Sequence, residues 1–113
     1  MKYTALRRKL PLESEIQSAI CDYLALRKHF FYRTNNSPIF DTNLNVFRAM
    51  PKYTPKGISE MFVLYGVRPY FLEVKRPGSY QTPEQQEFQM RAEFAGACYA
   101  FVRSIEDVQC LGL

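Results

Sequence analysis

Apolar positions first recur at helical spacing early in the chain: Ile16, Ile20, Tyr23 and Leu24, with Ala19 filling in. Ser14 precedes this stripe as a good N-cap, and Gln17 three residues on completes a capping box, so the spacing predicts a helix from Ser14 to about Lys28. Alternation then takes over. Phe30-Phe31-Tyr32-Arg33-Thr34-Asn35 reads as a strand with Arg33 and Asn35 on one face. Residues 36–57 carry turn residues and no sustained period, and read as irregular. Met61-Phe62-Val63-Leu64-Tyr65 and Tyr70-Phe71-Leu72-Glu73-Val74 are β-formers on either side of Gly66-Val67-Arg68-Pro69, the pattern of an antiparallel hairpin. Thr82, Pro83 and Gln85 open a second helix as N-cap, N1 and N3; Phe88, Ala92 and Ala95 mark its buried side, and Gly96 stops it. Cys98–Val102 reads as a last strand, and Ser104 caps a short helix holding Ile105, Val108 and Leu111. The order helix, strand, hairpin, helix, strand is that of an α/β domain.

The 113 residues suit one domain, with residues 1–12 as a basic N-terminal arm. A 47% hydrophobic content and the lack of long polar tracts favour a packed core over disorder. No apolar run approaches the roughly 20 residues needed to span a bilayer, and no signal peptide is evident. Cys21, Cys98 and Cys110 are odd in number and widely spaced, which fits reduced thiols in a cytosolic protein rather than a disulfide framework or a zinc site. The net charge of +4 is compatible with a polyanionic partner.

The polar residues that break the apolar pattern carry the candidate chemistry. Glu73 and Lys75 share one face at the end of a strand, where a carboxylate can hold a hard cation and a lysine can steady a hydroxide or a growing phosphate charge. Glu-x-Lys is equally an ordinary surface ion pair. The hairpin changes its weight: the start of one strand lies beside the end of the other, so Glu60 approaches Glu73. Glu15 suits the helix dipole and could alternatively reach a metal. Arg33 and Asn35 could bind phosphate or be a solvated strand end. His29, the one histidine, reads as a contact at the helix C-terminus. In the irregular stretch Arg48, Lys52 and Lys56 interleave with Phe40, Phe47, Met50 and Tyr53, which suits a nucleic-acid surface, a dimer contact or a cap on the core. Arg7, Arg8 and Lys9 could touch phosphate or be solvated.

Taken together, Glu15-x-Gln17, Arg33-x-Asn35, Gly57-x-x-Glu60, Glu73-x-Lys75 and Thr82-x-x-Gln85, in this order over residues 13–106, resemble the virus-type replication-repair nuclease family (VRR-NUC) of the PD-(D/E)xK nuclease superfamily. The resemblance implies a restriction-endonuclease-like core, with a central mixed β-sheet flanked by helices, and Mg²⁺- or Mn²⁺-dependent cleavage of DNA. By the same resemblance Glu60, Glu73, Lys75 and Gln85 are catalytic and Glu15, Glu60, Glu73 and Val74 surround the metal; Arg33, Asn35, Arg48, Lys52, Lys56 and Arg76 are then expected to hold the DNA backbone. It further implies a homodimer similar to Holliday-junction resolvases. One position departs: the family's usual Asp in the Gly-x-x-Asp motif is Glu60 here.

Overall fold

The computed structural model describes residues 10–34, 40–47 and 52–113. Asn35 and Arg48, with the arm residues Arg7, Arg8 and Lys9, lie outside the described residues. The first helix, α1, spans Glu13–Leu26. Strands β1 (Phe30–Arg33), β2 (Phe40–Asp41), β3 (Val46–Phe47), β4 (Met61–Tyr65) and β5 (Arg68–Val74) follow, then α2 (Pro83–Phe94), β6 (Cys98–Val102) and α3 (Ile105–Cys110). Four strands form one mixed sheet in the order β1-β4-β5-β6, while β2 and β3 pair separately as a small hairpin within the stretch read as irregular. The first three strands are antiparallel neighbours and β6 runs parallel to β5. A parallel neighbour requires a crossover, and α2 supplies it.

Several local signals act as their chemistry dictates. Gly66 holds φ +64° between the paired ends Tyr65 and Arg68, and Val67 does not share that conformation, so the β4–β5 turn is a two-residue type II′ connection. Thr82 and Gln85 form the reciprocal capping box at the start of α2, with Pro83 in its first turn. Ser104 Oγ accepts from the Asp107 main chain at 3.2 Å and caps α3.

At the first helix the structure corrects the expectation. Leu12, not Ser14, occupies the N-cap and makes no side-chain cap bond. Ser14 lies inside the helix, and Gln17 is released from any capping role. The helix also ends at Leu26, where Lys28 turns into the left-handed region at φ +61°. His29 meets the helix end through its main chain, whose N–H donates to the Leu24 carbonyl at 3.0 Å, while its ring reaches the far end of the chain. Its Nε2 lies 2.8 Å from the Leu113 carbonyl, which also accepts from Arg27 Nε and Tyr23 Oη, each at 3.3 Å.

One face of the sheet is covered by α1 and α3, and α2 covers the β5–β6 side of the other. On one, Ile16, Ile20 and Leu24 of α1 pack with Val108 of α3 against Met61, Val63, Tyr70, Leu72, Val74 and Val102. Burying each such side chain contributes roughly 1.5–3 kcal/mol. On the other, Tyr32, Phe62 and Phe71 run side by side across β1, β4 and β5, and Phe88 of α2 seats edge-on to Phe71 with ring centres 5.1 Å apart. Cys21 and Cys98 are partly buried against the core, Cys110 is exposed, and all three are free thiols. No helix among the described residues is long and apolar enough to cross a membrane.

Candidate active site: paired carboxylates at the end of the sheet

The β4–β5 register ends with Met61 opposite Leu72; Glu60, just ahead of β4, and Glu73, just past Leu72, flank that pair and lie close enough for each to perturb the other's carboxyl. On the outer sides, β1 continues past Arg33 through Thr34, whose N–H donates to the Glu60 carbonyl at 2.8 Å, and Glu73 is paired with Phe101 of β6. The hairpin expected from the sequence therefore brings the two carboxylates together at the end of the sheet. Like charges placed directly opposite one another on neighbouring strands are destabilising, so this arrangement needs other bonds to hold it.

Those bonds fix the loop before β4 on both sides. Thr34 Oγ1 donates to the Ser59 carbonyl, and the fully buried Ser59 hydroxyl donates to the Met61 carbonyl at 3.2 Å. Gly57 lies against the first turn of α2. A Cβ on it would meet the main chain of Glu84 and stand 2.6 Å from Gln85 N, and its φ of +69° suits glycine. The Gly in Gly57-x-x-Glu60 thus lets the loop touch the helix closely enough to aim Glu60 at the sheet end.

Glu73 is 1% exposed, and among the described residues neither of its carboxylate oxygens has a hydrogen-bond donor. Burial pushes its pKa up to about 7, against the opposing pull of the neighbouring Glu60 carboxyl and the Lys75 charge. Glu60 is half-buried and is pushed up to about 9, first by burial, then by Glu73 and Glu13. Two carboxyl groups this close share protons rather than ionise together. Lys75 is half-buried just beyond the strand end, with its main-chain N–H on the Val102 carbonyl at 3.0 Å.

From the helix side, the site receives Glu13 and Gln17, which are one turn apart on the same face of α1. Gln17 Nε2 donates to Glu60 Oε2 at 3.1 Å, and Arg33 Nη2 donates to Gln17 Oε1 at 2.9 Å. Glu13 lies near enough to raise the pKa of both Glu60 and Glu73. Glu15 is exposed and, two residues from Glu13, points to a different side of the helix. The acid that α1 presents to the pair is Glu13, which the sequence reading passed over. Helical spacing carried the clue, since a carboxylate sharing a site with Gln17 must stand at i−4 rather than i−2.

The other expected residues divide. Val74 is fully buried with its side chain in the core, so only its main-chain oxygen has the chemistry to meet a cation. Gln85 is committed to its helix: its Oε1 accepts from the Thr82 main chain at 2.9 Å. Arg76 Nε donates to the Pro11 carbonyl at 3.0 Å. Lys52 and Lys56 are exposed, Lys52 with its ammonium 5.1 Å from the Tyr53 ring centre. Tyr99, opposite Phe71 in the sheet, accepts from Gln81 Nε2 at 3.3 Å; burial raises its pKa to about 12, and the Glu73 and Glu60 charges add to that.

Glu13, Glu60 and Glu73 offer only oxygen donors, the set preferred by Mg²⁺, Mn²⁺ and Ca²⁺. The two unpartnered oxygens of Glu73 are the structural feature that fits such an ion, because a buried carboxylate with no donor is costly until a proton or a cation meets it. Among the described residues, no group of three or more His, Cys, Asp or Glu side chains is already drawn together as a metal cage. No known protein family, curated protein or solved structure matches the chain.

Proposed function

We propose that the protein is a metal-dependent nuclease hydrolysing DNA phosphodiester bonds, on a core of the restriction-endonuclease-like kind seen in virus-type replication-repair nucleases. The observation that carries this reading is the pair at the sheet end: a buried Glu73, its oxygens without a donor among the described residues, beside Glu60. Glu60 and Glu73 would hold Mg²⁺ or Mn²⁺, with Glu13 completing the acidic set. Such an ion, when bound, polarises the scissile phosphate and lowers the pKa of water.

The chain's own residues then have separable tasks. Lys75, beside Glu73, offers its ammonium to the attacking oxygen or to the charge that grows on the phosphoryl group. Arg33, exposed and tied to Gln17, faces the DNA backbone, and Lys52, Lys56 and Arg76 add positive charge around it. The +4 charge supports an anionic partner. A two-fold dimer acting on branched DNA is part of the proposal, since two strands of a junction need two sites. Phe30, Tyr32 and Leu64, exposed side by side on the sheet, are apolar surface that such a dimer would cover.

The test is a cleavage panel over duplex, flap and four-way junction DNA with Mg²⁺, Mn²⁺ or EDTA, with light scattering for mass. Cleavage that requires the metal and is lost in Lys75→Ala supports the nuclease; no cleavage of any substrate removes it. Junction DNA cut no better than duplex, or a monomer at micromolar concentration, removes the resolvase part alone. A second reading, a DNA-binding module without appreciable activity, is favoured by two observations: no preassembled acidic cage exists among the described residues, and Gln85 is engaged in its helix cap. DNA binding that persists in the panel without cleavage selects it.

A further inference from the structure

Gln17 is the side chain that touches both halves of the site, and its two contacts fix its amide without ambiguity. Glu60 Oε2 is an acceptor and Arg33 Nη2 is a donor, so Nε2 must face the carboxylate and Oε1 the guanidinium. The contacts join three separate elements: α1, the end of β1 and the loop ahead of β4. The main chain of Glu60 is pinned by Thr34, yet a glutamate still has three side-chain torsions to place. Gln17 holds one oxygen at the far end of that side chain, beside the influence of Glu73 and Glu13. Glu60 Oε2 is thereby engaged, which leaves the other oxygen to face Glu73 or a cation.

We propose that Gln17 is a positioning residue that fixes Glu60 and Arg33 relative to one another, so that the carboxylate on the metal side and the guanidinium on the phosphate side meet one substrate in one geometry. The inference rests on the nuclease reading. It assigns Gln17 no contact with the reacting atoms. Its effect passes through its two partners, as for groups that orient metal ligands from outside the coordination shell, where substitution changes affinity or activity by roughly 10–100-fold.

The experiment compares wild type, Gln17→Met, Arg33→Met and the double variant, with calorimetric titration of Mn²⁺ alone, steady-state cleavage and thermal melting. Gln17→Met is expected to weaken Mn²⁺ binding by about 10-fold or more and to raise the KM for DNA, with an unchanged melting temperature in EDTA. Arg33→Met is expected to raise KM and leave Mn²⁺ affinity within about twofold. The double variant should have a KM close to that of the worse single variant, because both disrupt one arrangement. Gln17→Ala is run in parallel, so that a folding defect peculiar to methionine among carboxylates does not decide the result. Wild-type Mn²⁺ affinity in both Gln17 variants, or KM effects that simply multiply, overturns the positioning role while leaving the nuclease standing. A wild-type protein that neither binds Mn²⁺ nor cleaves overturns the nuclease reading, and this inference with it.

Discussion

Glu60, just ahead of β4, meets Glu73 of β5 at the open end of the hairpin, where two acids side by side weigh against stability. The register leaves little freedom in this. Shifting it by one residue would turn Met61, Val63 and Leu72 out of the core. The apolar face of the hairpin thus enforces the meeting of two acids on its open end.

The meeting should be visible as an inverted pH dependence of stability. Both pKa values are raised, to about 9 for Glu60 and about 7 for Glu73, so the folded metal-free protein binds protons that the unfolded chain has released. Their contribution is fully present below the ordinary carboxylate range, at about pH 4, and is lost as pH rises through the folded values. Thermal melting in EDTA is expected to show a melting temperature that falls steadily from about pH 5 to about pH 9. Mn²⁺ affinity should rise over the same interval, since the ion displaces protons, and calorimetry in two buffers of different ionisation enthalpy will count them.

Replacing Glu73 by Gln should separate stability from function. The substitution keeps the shape and removes a buried charge whose oxygens have no hydrogen-bond donor among the described residues. The metal-free melting temperature at about pH 8 is expected to rise, because an unpaired buried charge is expensive. Mn²⁺ binding and cleavage should both disappear. A Glu73→Gln variant less stable than wild type in EDTA would show that Glu73 has a stabilising partner.

The two acids of α1 should behave differently. Glu13→Ala is expected to weaken Mn²⁺ binding and to lower the pKa of Glu60, which then has one fewer negative neighbour adding to the effect of burial. Glu15→Ala, at an exposed position, should leave Mn²⁺ affinity and cleavage within about twofold of wild type, with stability changed by less than about 0.5 kcal/mol. Parallel titrations of the two variants decide which acid serves the site.

Gly57→Ala should lower stability by about 1–3 kcal/mol, since it combines a positive φ with a Cβ pressed into the α2 main chain. The loop must shift away from the helix, and Glu60 shifts with it. Urea unfolding gives the first effect and Mn²⁺ titration the second. Equal Mn²⁺ affinity at reduced stability would separate the loop's packing from the aim of Glu60.

How far the sequence could be read follows from how local each signal is. The start of α2 is legible because Thr82, Pro83 and Gln85 act within one turn of each other, and β6 because five apolar or small residues run between Gly96 and Ser104. The Glu60–Glu73 pairing is legible because a two-residue turn at Gly66 fixes the hairpin register. The start of α1 is not legible in the same way. Ser14 has better cap chemistry than Leu12, yet the helix begins ahead of it, so cap chemistry alone misplaces the start. With that start go the identity of Glu13 and the true partners of Gln17. The β2–β3 hairpin escapes because strands of two residues show no period. Glu60 and Gln17, at 43 residues' separation, meet only through tertiary packing.

The place of the carboxylate pair on the hairpin also bears on the order in which the chain folds. A hairpin closes from its turn, here Gly66-Val67, and Glu60 and Glu73 lie beyond its last rung, Met61–Leu72. Repulsion between the acids is therefore absent while the rungs from Tyr65 to Met61 are forming and is felt only as the open end zips. An interaction made after the folding barrier acts on the rate of escape from the native state and leaves the rate of reaching it nearly unchanged. Neutralising the pair, by low pH or by Glu73→Gln, should slow unfolding without hastening refolding, so that an acidic pair at the sheet end sets the lifetime of the folded protein more than the speed of its formation.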